Sequence, residues 1–361
     1  MGVGIFGIPF SFAKAGFATG LVFLIFVGLL SLAVNLIFGE VVLRTKEKHQ
    51  FTGYAKIYLG QGAKNIAALF WFASLYGALL AYIIISGNFL FNIFISQFYL
   101  SPVFYSFLFF VFGSLAVSAG LRTVAWFEFF MILFFVALLF LIFIFGFPQI
   151  EVKNLATIFN REFWFLPYGV LLFAYAGFSA VPLSRELLKN QTSLLKSSII
   201  WGSLIPALLY LVFTAAIVGI SGETTSPDVV SGLVDFFDYR FIFLISLFGL
   251  LAITTSFLAL ASAMVETFRL DYGVKKIRAW ALACFVPFIL FWFGVRNFIE
   301  VISVAGSVAI GFEGVLLVLI YRAAKKRGDR EPEYSLKFPA WVLNIIIVLF
   351  SLGALYALFF E

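Results

Sequence analysis

The segment GVGIFGIPFSFAKAG, Gly2–Gly16, is apolar enough to sit in a lipid bilayer, yet it carries Gly2, Gly4, Gly7, Gly16 and Pro9. Glycine weakens a helix and proline removes a backbone donor. A helix that merely faces lipid gains nothing from that composition. A broken helix lining a cavity does, because its freed N–H and C=O groups can hold a ligand. A second such stretch, LPYGVLLFAYAGFSAVP, spans Leu166–Pro182. Two interrupted apolar segments at matching places in two halves point to the binding site of a secondary transporter.

Outward from these two segments the chain is apolar almost throughout. Of its 361 residues 63% are hydrophobic and 12% charged, with a mean hydropathy of +1.10. Soluble domains carry about 25% charged residues. Apolar runs of membrane-spanning length recur from end to end, which makes the chain an all-α polytopic membrane protein. Eleven spans are expected, at about 1–16, 18–43, 65–95, 101–120, 123–146, 164–189, 194–220, 240–268, 276–294, 298–321 and 339–360. With the N-terminus in the cytoplasm, alternation puts 19 of the 24 Lys and Arg residues in inner loops, as the positive-inside rule requires, and leaves the C-terminus outside. The net charge of +6 therefore reflects topology and not a nucleic-acid partner. The acidic outer loop contains SPDVVSGLVDFF, residues 226–237, whose Ser-Pro start and apolar spacing predict a short surface helix.

Cys284 and His49 are the only cysteine and histidine, so neither a His/Cys metal cluster nor an intramembrane hydrolase is expected. No phosphate-binding loop appears, which argues against an ATP-driven pump. No resident cofactor is expected.

Spans 1–5 and 6–10 each begin with a broken helix, and five is odd, so the second half enters the bilayer from the opposite side. The expected plan is a first five-helix repeat over 1–146, an inverted second repeat over 164–321, and an additional helix over 339–360.

Three stretches carry a family resemblance. GVGIFGIPFSFAKAG resembles the first-helix signature of the amino acid/auxin permease family, in the amino acid–polyamine–organocation superfamily. FLPYGVLLFAYAGFSAVP (Phe165–Pro182) is similar to its sixth helix, and TTSFLALASAMVETF (Thr254–Phe268) to its eighth, most closely in bacterial aromatic amino acid permeases. The resemblance implies a LeuT-type 5+5 inverted repeat with helices 1 and 6 broken. It also implies amino acid transport in the cell (cytoplasmic or inner) membrane, driven by a proton or sodium gradient. In that family about a half-helix precedes the GxGI break. Here Met1 abuts Gly2, so the first helix is expected to be truncated, which leaves a degenerate paralogue or a transporter-like sensor as alternatives.

Backbone N–H groups of Gly2, Val3, Gly4 and Ile5 lie at the start of a half-helix, whose partial positive charge suits a carboxylate. Carbonyls at Phe173, Ala174, Tyr175, Ala176 and Gly177 suit an ammonium group. Either cluster alone could equally serve close helix packing; the pair at matched positions favours a site. Helix three lines the site in relatives, which makes Tyr82 a candidate gate. By resemblance, Thr255 and Ser256 fall where relatives hold sodium, with Thr254 beside them, although Ser and Thr can also bond to their own helix. Glu128 and Glu313 are acids inside spans and so candidate proton carriers, unless each pairs with a basic neighbour near the inner surface.

Overall fold

The computed structural model of the chain describes residues 2–95, 97–120, 124–189 and 191–360, with the backbone alone for 124–129, 131 and 132. The described residues form helices and no strands. The first half runs α1 (Gly4–Ala15), α2 (Phe17–Leu43), α3 (Phe51–Leu59), α4 (Gln61–Phe94), α5 (Pro102–Ala119) and α6 (Val124–Gly146). The second runs α7 (Leu166–Ala174), α8 (Ala180–Leu188), α9 (Leu195–Ser221), α10 (Tyr239–Leu270), α11 (Lys276–Trp292), α12 (Phe298–Val304) and α13 (Gly311–Arg327). A π-helical segment, Ala305–Ile310, joins α12 to α13, and α14 (Ala340–Phe360) closes the chain. Among the described residues, seven helical stretches are long and apolar enough to cross a membrane. The other expected spans coincide with α1, α6, the α7–α8 pair and α11, which are short, broken or only partly described.

Local chemistry sets several boundaries. Ser101 caps α5 by accepting from the Phe104 N–H, Pro102 occupies its first turn, and Gly120 ends it in the left-handed conformation. Asp238 caps α10 through the Phe241 N–H, and Asn297 caps α12 through that of Glu300. Pro182 is third in α8, where the missing N–H has no intrahelical acceptor to lose.

Helices at equivalent places in the two halves meet: α1 with α7, α2 with α9, α4 with α10 and α5 with α11. The loops sort onto two faces. On one, Asp329 accepts from the Lys46 N–H, Arg330 donates to the Leu43 carbonyl, and Arg185 donates to the Lys46 carbonyl. On the other, the Asn160 N–H donates to Ala15 and the Glu151 N–H to Gly219. These two groupings fall within the two loop sets that the charge pattern separates.

Two features differ from expectation. The loop after α2 contains α3, an unexpected helix whose Phe51, Tyr54 and Tyr58 are buried. Residues 226–237 do not form a surface helix. Only Ser231–Leu233 makes a 3-10 turn, Val229 sits at φ 66°, and Val229, Val230 and Leu233 are buried. Asp228 explains the outcome. Its carboxylate accepts from the hydroxyls of Ser226 and Ser231, both at 2.7 Å, and from the Ser231 N–H. That local pattern competes with helix formation.

Candidate functional site

The start of α1 and the break between α7 and α8 open into one cavity of about 100 Å³. A single water needs about 10–15 Å³ on the same scale, so the space suits a small solute. The first bonds of α1 run from the Ile5 N–H to the Gly2 carbonyl and from the Phe6 N–H to Val3. The N–H groups of Val3 and Gly4 therefore have no acceptor among the described residues. Gly2 and Gly4 both line the cavity.

Facing them, α7 stops at Ala174 and α8 starts at Ala180. The Ala174 carbonyl accepts from the Tyr210 hydroxyl at 2.9 Å, and the Phe173 carbonyl from the Ala176 N–H. Those of Tyr175 and Ala176 have no donor among the described residues. Phe173, Ala174 and Ala176 line the cavity. The two breaks touch: a Cβ on Gly4 would come within 2.7 Å of the Ala174 Cα, so only glycine permits this approach. One cavity thus joins a donor-rich helix start to an acceptor-rich helix end, the complement of a zwitterion.

Helix α4 supplies one wall through Trp71, Ser74, Leu75, Ala78 and Tyr82, a helical face. The Tyr82 hydroxyl lies 2.8 Å from where a Cβ on Gly2 would stand. Glu313, from the first turn of α13, completes the wall; it is 1% exposed and 2.5 Å from the Ser74 hydroxyl.

Other residues singled out in the sequence lie elsewhere. Val3 and Ile5 are buried but do not line the cavity. Tyr175 packs on Tyr210 with ring centroids 5.4 Å apart, and its hydroxyl lies beside Gly28 of α2. Gly177 faces Asn35 of the same helix. The Thr254 and Thr255 hydroxyls donate to the carbonyls of Leu250 and Ala252 in their own helix. Ser256 is one turn from the cavity-lining Leu260 on the same face of α10. Arg122 and the Glu128 side chain fall outside the described residues.

Sequence reasoning missed Trp71 and Ser74. Stepping back from Tyr82 by helical periods would have reached both, because residues 71, 74, 78 and 82 share a face.

Known proteins resemble this chain in sequence and in fold. Glutamine transporter 2 of Aliivibrio fischeri is 25% identical over 324 residues, covering 86% of this chain and 82% of the relative. Neutral amino acid transporter 9 of Xenopus tropicalis is 33% identical over 96 residues, 26% of this chain and 17% of that protein. Among solved structures, MhsT in complex with L-phenylalanine has a TM-score of 0.70 at 15% identity, covering 98% of this chain and 96% of MhsT. MHP1, a nucleobase-cation-symport-1 family transporter, has a TM-score of 0.65 at 12% identity, covering 99% and 87%. The fold is that of the LeuT-type transporters. The tryptophan/tyrosine permease family model matches residues 1–357, and the chain belongs to that family of multi-pass membrane transporters.

Proposed function

We propose that this amino acid permease holds its substrate as a zwitterion between the two helix breaks. The carboxylate sits at the start of α1 on the unpaired N–H of Gly4, and the ammonium group on the Ala176 carbonyl, both residues lining the cavity. The observation that carries this reading is the opening of both breaks into one cavity, each with backbone groups of the required sign unpaired. Fixed backbone dipoles recognise the part common to all amino acids and leave side-chain selection to the rest of the wall. Tyr82, beside Gly2, closes over the carboxylate end.

Transport then follows by alternating access, with the broken helices rocking against α4 and α10. An ion gradient drives it as symport. A proton on Glu313 and a sodium ion held near Ser256 are the two possibilities the residues offer, and the cavity wall favours neither by itself. The names of the relatives span glutamine and neutral amino acids, and that of the family tryptophan and tyrosine. The charge bias supports an N-terminus on the inner side, and the proposed residence is the cytoplasmic membrane.

The test is uptake by proteoliposomes of a mixed amino acid pool, with a proton or a sodium gradient imposed separately. Accumulation above equilibrium under one gradient supports the reading and names the ion. Failure to move any amino acid under either gradient overturns it.

A further inference from the structure

The zwitterion site uses only part of the cavity. Away from the helix breaks, α4 and α13 bring together Trp71, Ser74 and Glu313, a polar group in an otherwise apolar wall that includes Leu75, Leu260 and Ile310. Ser74 is eight residues before Tyr82, about 12 Å along the helix. This group therefore stands at the end of the cavity where a substrate side chain would point.

Its hydrogen bonds do not balance with a charged carboxylate. The Ser74 Oγ lies 2.5 Å from Glu313 Oε1 and 3.0 Å from the Trp71 carbonyl oxygen. A serine hydroxyl has one proton to donate, and both neighbours are acceptors if Glu313 is ionised. A neutral Glu313 closes the chain: its O–H donates to Ser74, and Ser74 donates to the Trp71 carbonyl. Nothing nearby opposes this state. The elements packed on α13 are α2, α3, α4, α14 and the π segment. Of their charged groups, Glu40 is engaged with Arg44 and Lys325, Lys64 donates to the Asp271 carbonyl, and Lys56 is exposed. Among the described residues, no cation lies within ion-pair distance of Glu313.

Two polar atoms are then left over. Among the described residues no hydrogen bond reaches Glu313 Oε2, and the indole N–H of Trp71, a residue 2% exposed, is buried with no partner. Buried polar groups are almost always satisfied, and each exception asks for an explanation. The two residues that carry this donor and this acceptor both line the cavity. The π segment immediately precedes α13, and a π insertion rotates the residues that follow relative to an unbroken helix. It sets the register in which both Ile310 and Glu313 reach the cavity.

Resting on the permease reading above, we propose that Trp71 and Glu313 select the substrate's side chain. They take a neutral group that donates and accepts at once, and the primary carboxamide of glutamine or asparagine is the best complement. Its N–H donates to Glu313 Oε2, its carbonyl accepts from Trp71, and its aliphatic stem lies on Leu75 and Leu260. A cationic side chain is disfavoured because a neutral Glu313 offers it no counter-charge. A purely apolar side chain leaves both polar atoms buried and unpaired, the arrangement by which a hydrogen-bonding site rejects analogues.

The experiment is thermal-shift titration of the purified protein with glutamine, asparagine, tyrosine, methionine and leucine, repeated on Glu313→Gln, Glu313→Met and Trp71→Phe. Gel filtration confirms that each variant is folded. Glutamine should bind about 100-fold more tightly than methionine, since each neutral hydrogen bond is worth about tenfold. Glu313→Gln should keep that preference, because its amide N–H donates to Ser74 and its carbonyl replaces Oε2. Glu313→Met and Trp71→Phe should each reduce it about tenfold. Methionine binding as well as glutamine, or an unchanged preference in Glu313→Met, overturns the proposal. So does loss of the preference in Glu313→Gln, which would mean that the charge is needed. Tyrosine binding more tightly than glutamine replaces the carboxamide with a phenol and overturns the stated ligand class. If no amino acid binds, the permease reading falls as well; if they bind without discrimination, only this proposal does.

Discussion

Glu40 and Glu313 are both carboxyl groups shut off from solvent, at 0% and 1% exposure, and the protein holds them in opposite ways. Glu40, near the end of α2, is saturated. It pairs with Arg44 at 2.8 Å and Lys325 at 3.1 Å, and it accepts from the Ser335 hydroxyl and the Leu336 N–H. These bonds draw the connection between α13 and α14 across the C-terminal end of α2, where Tyr334 also donates to the Leu36 carbonyl. Glu313 has one serine and an oxygen left over. A buried acid with all its partners holds elements together; a buried acid with spare valence in a cavity wall is placed for a ligand. Burial alone does not separate the two, but the inventory of partners does.

The comparison fails if the two acids respond alike to substitution. Glu40→Ala leaves two cations and a backbone N–H without their acceptor, and should cost about 3–5 kcal/mol. Thermal unfolding in detergent measures it, and a loss below about 1 kcal/mol would make the cluster a set of surface pairs. Glu313→Met removes a polar group whose pairing is incomplete and fills the same volume. Stability should stay within about 1 kcal/mol of the parent, in either direction, while the choice among substrates changes. A stability loss as large as that of Glu40→Ala would make Glu313 structural.

The smallest effect concerns the same connection between α13 and α14. Burial raises the Glu333 carboxyl, but hydrogen bonds from Arg330 and Thr192 outweigh it and hold the group below its ordinary value. A lowered folded-state value means that the contribution is present above the unfolded value of about 4.3 and is lost as pH falls below it. Unfolding temperature should therefore decline slightly more steeply below that pH in the parent than in Glu333→Gln. Parallel curves would show that the pairing is too solvent-screened to matter.

Much of this molecule is legible in its sequence. All eleven expected spans coincide with helices because a bilayer demands long apolar runs. Gly2, Gly4 and the 174–176 break could be picked out because interrupted apolar segments are rare without a purpose. Other features resist such reading for physical reasons. Helix α3 is nine residues with Thr52 and Gly53 in its first turn, so hydropathy cannot tell it from a loop. Tyr175 and Gly177 belong to the break, but their direction toward α2 depends on how the chain turns between α7 and α8. Glu40 escapes notice because it is close to a span end, where acids are ordinary. The register that brings Glu313 to the cavity depends on a π segment, for which the composition AGSVAI gives no sign.

Equilibrium binding of radiolabelled amino acids to the purified protein would show whether the two helix breaks form the substrate site. It would compare the parent with Gly4→Val and Gly202→Val. A Cβ on Gly202 meets nothing within 4 Å, whereas one on Gly4 collides with Ala174 and must displace the breaks relative to each other. A misplacement of about 1 Å at such a site costs on the order of 100-fold. The account predicts saturable binding by the parent and by Gly202→Val, and a loss of about that size in Gly4→Val with the protein still folded. Parent-like binding by Gly4→Val would contradict it and place the substrate elsewhere.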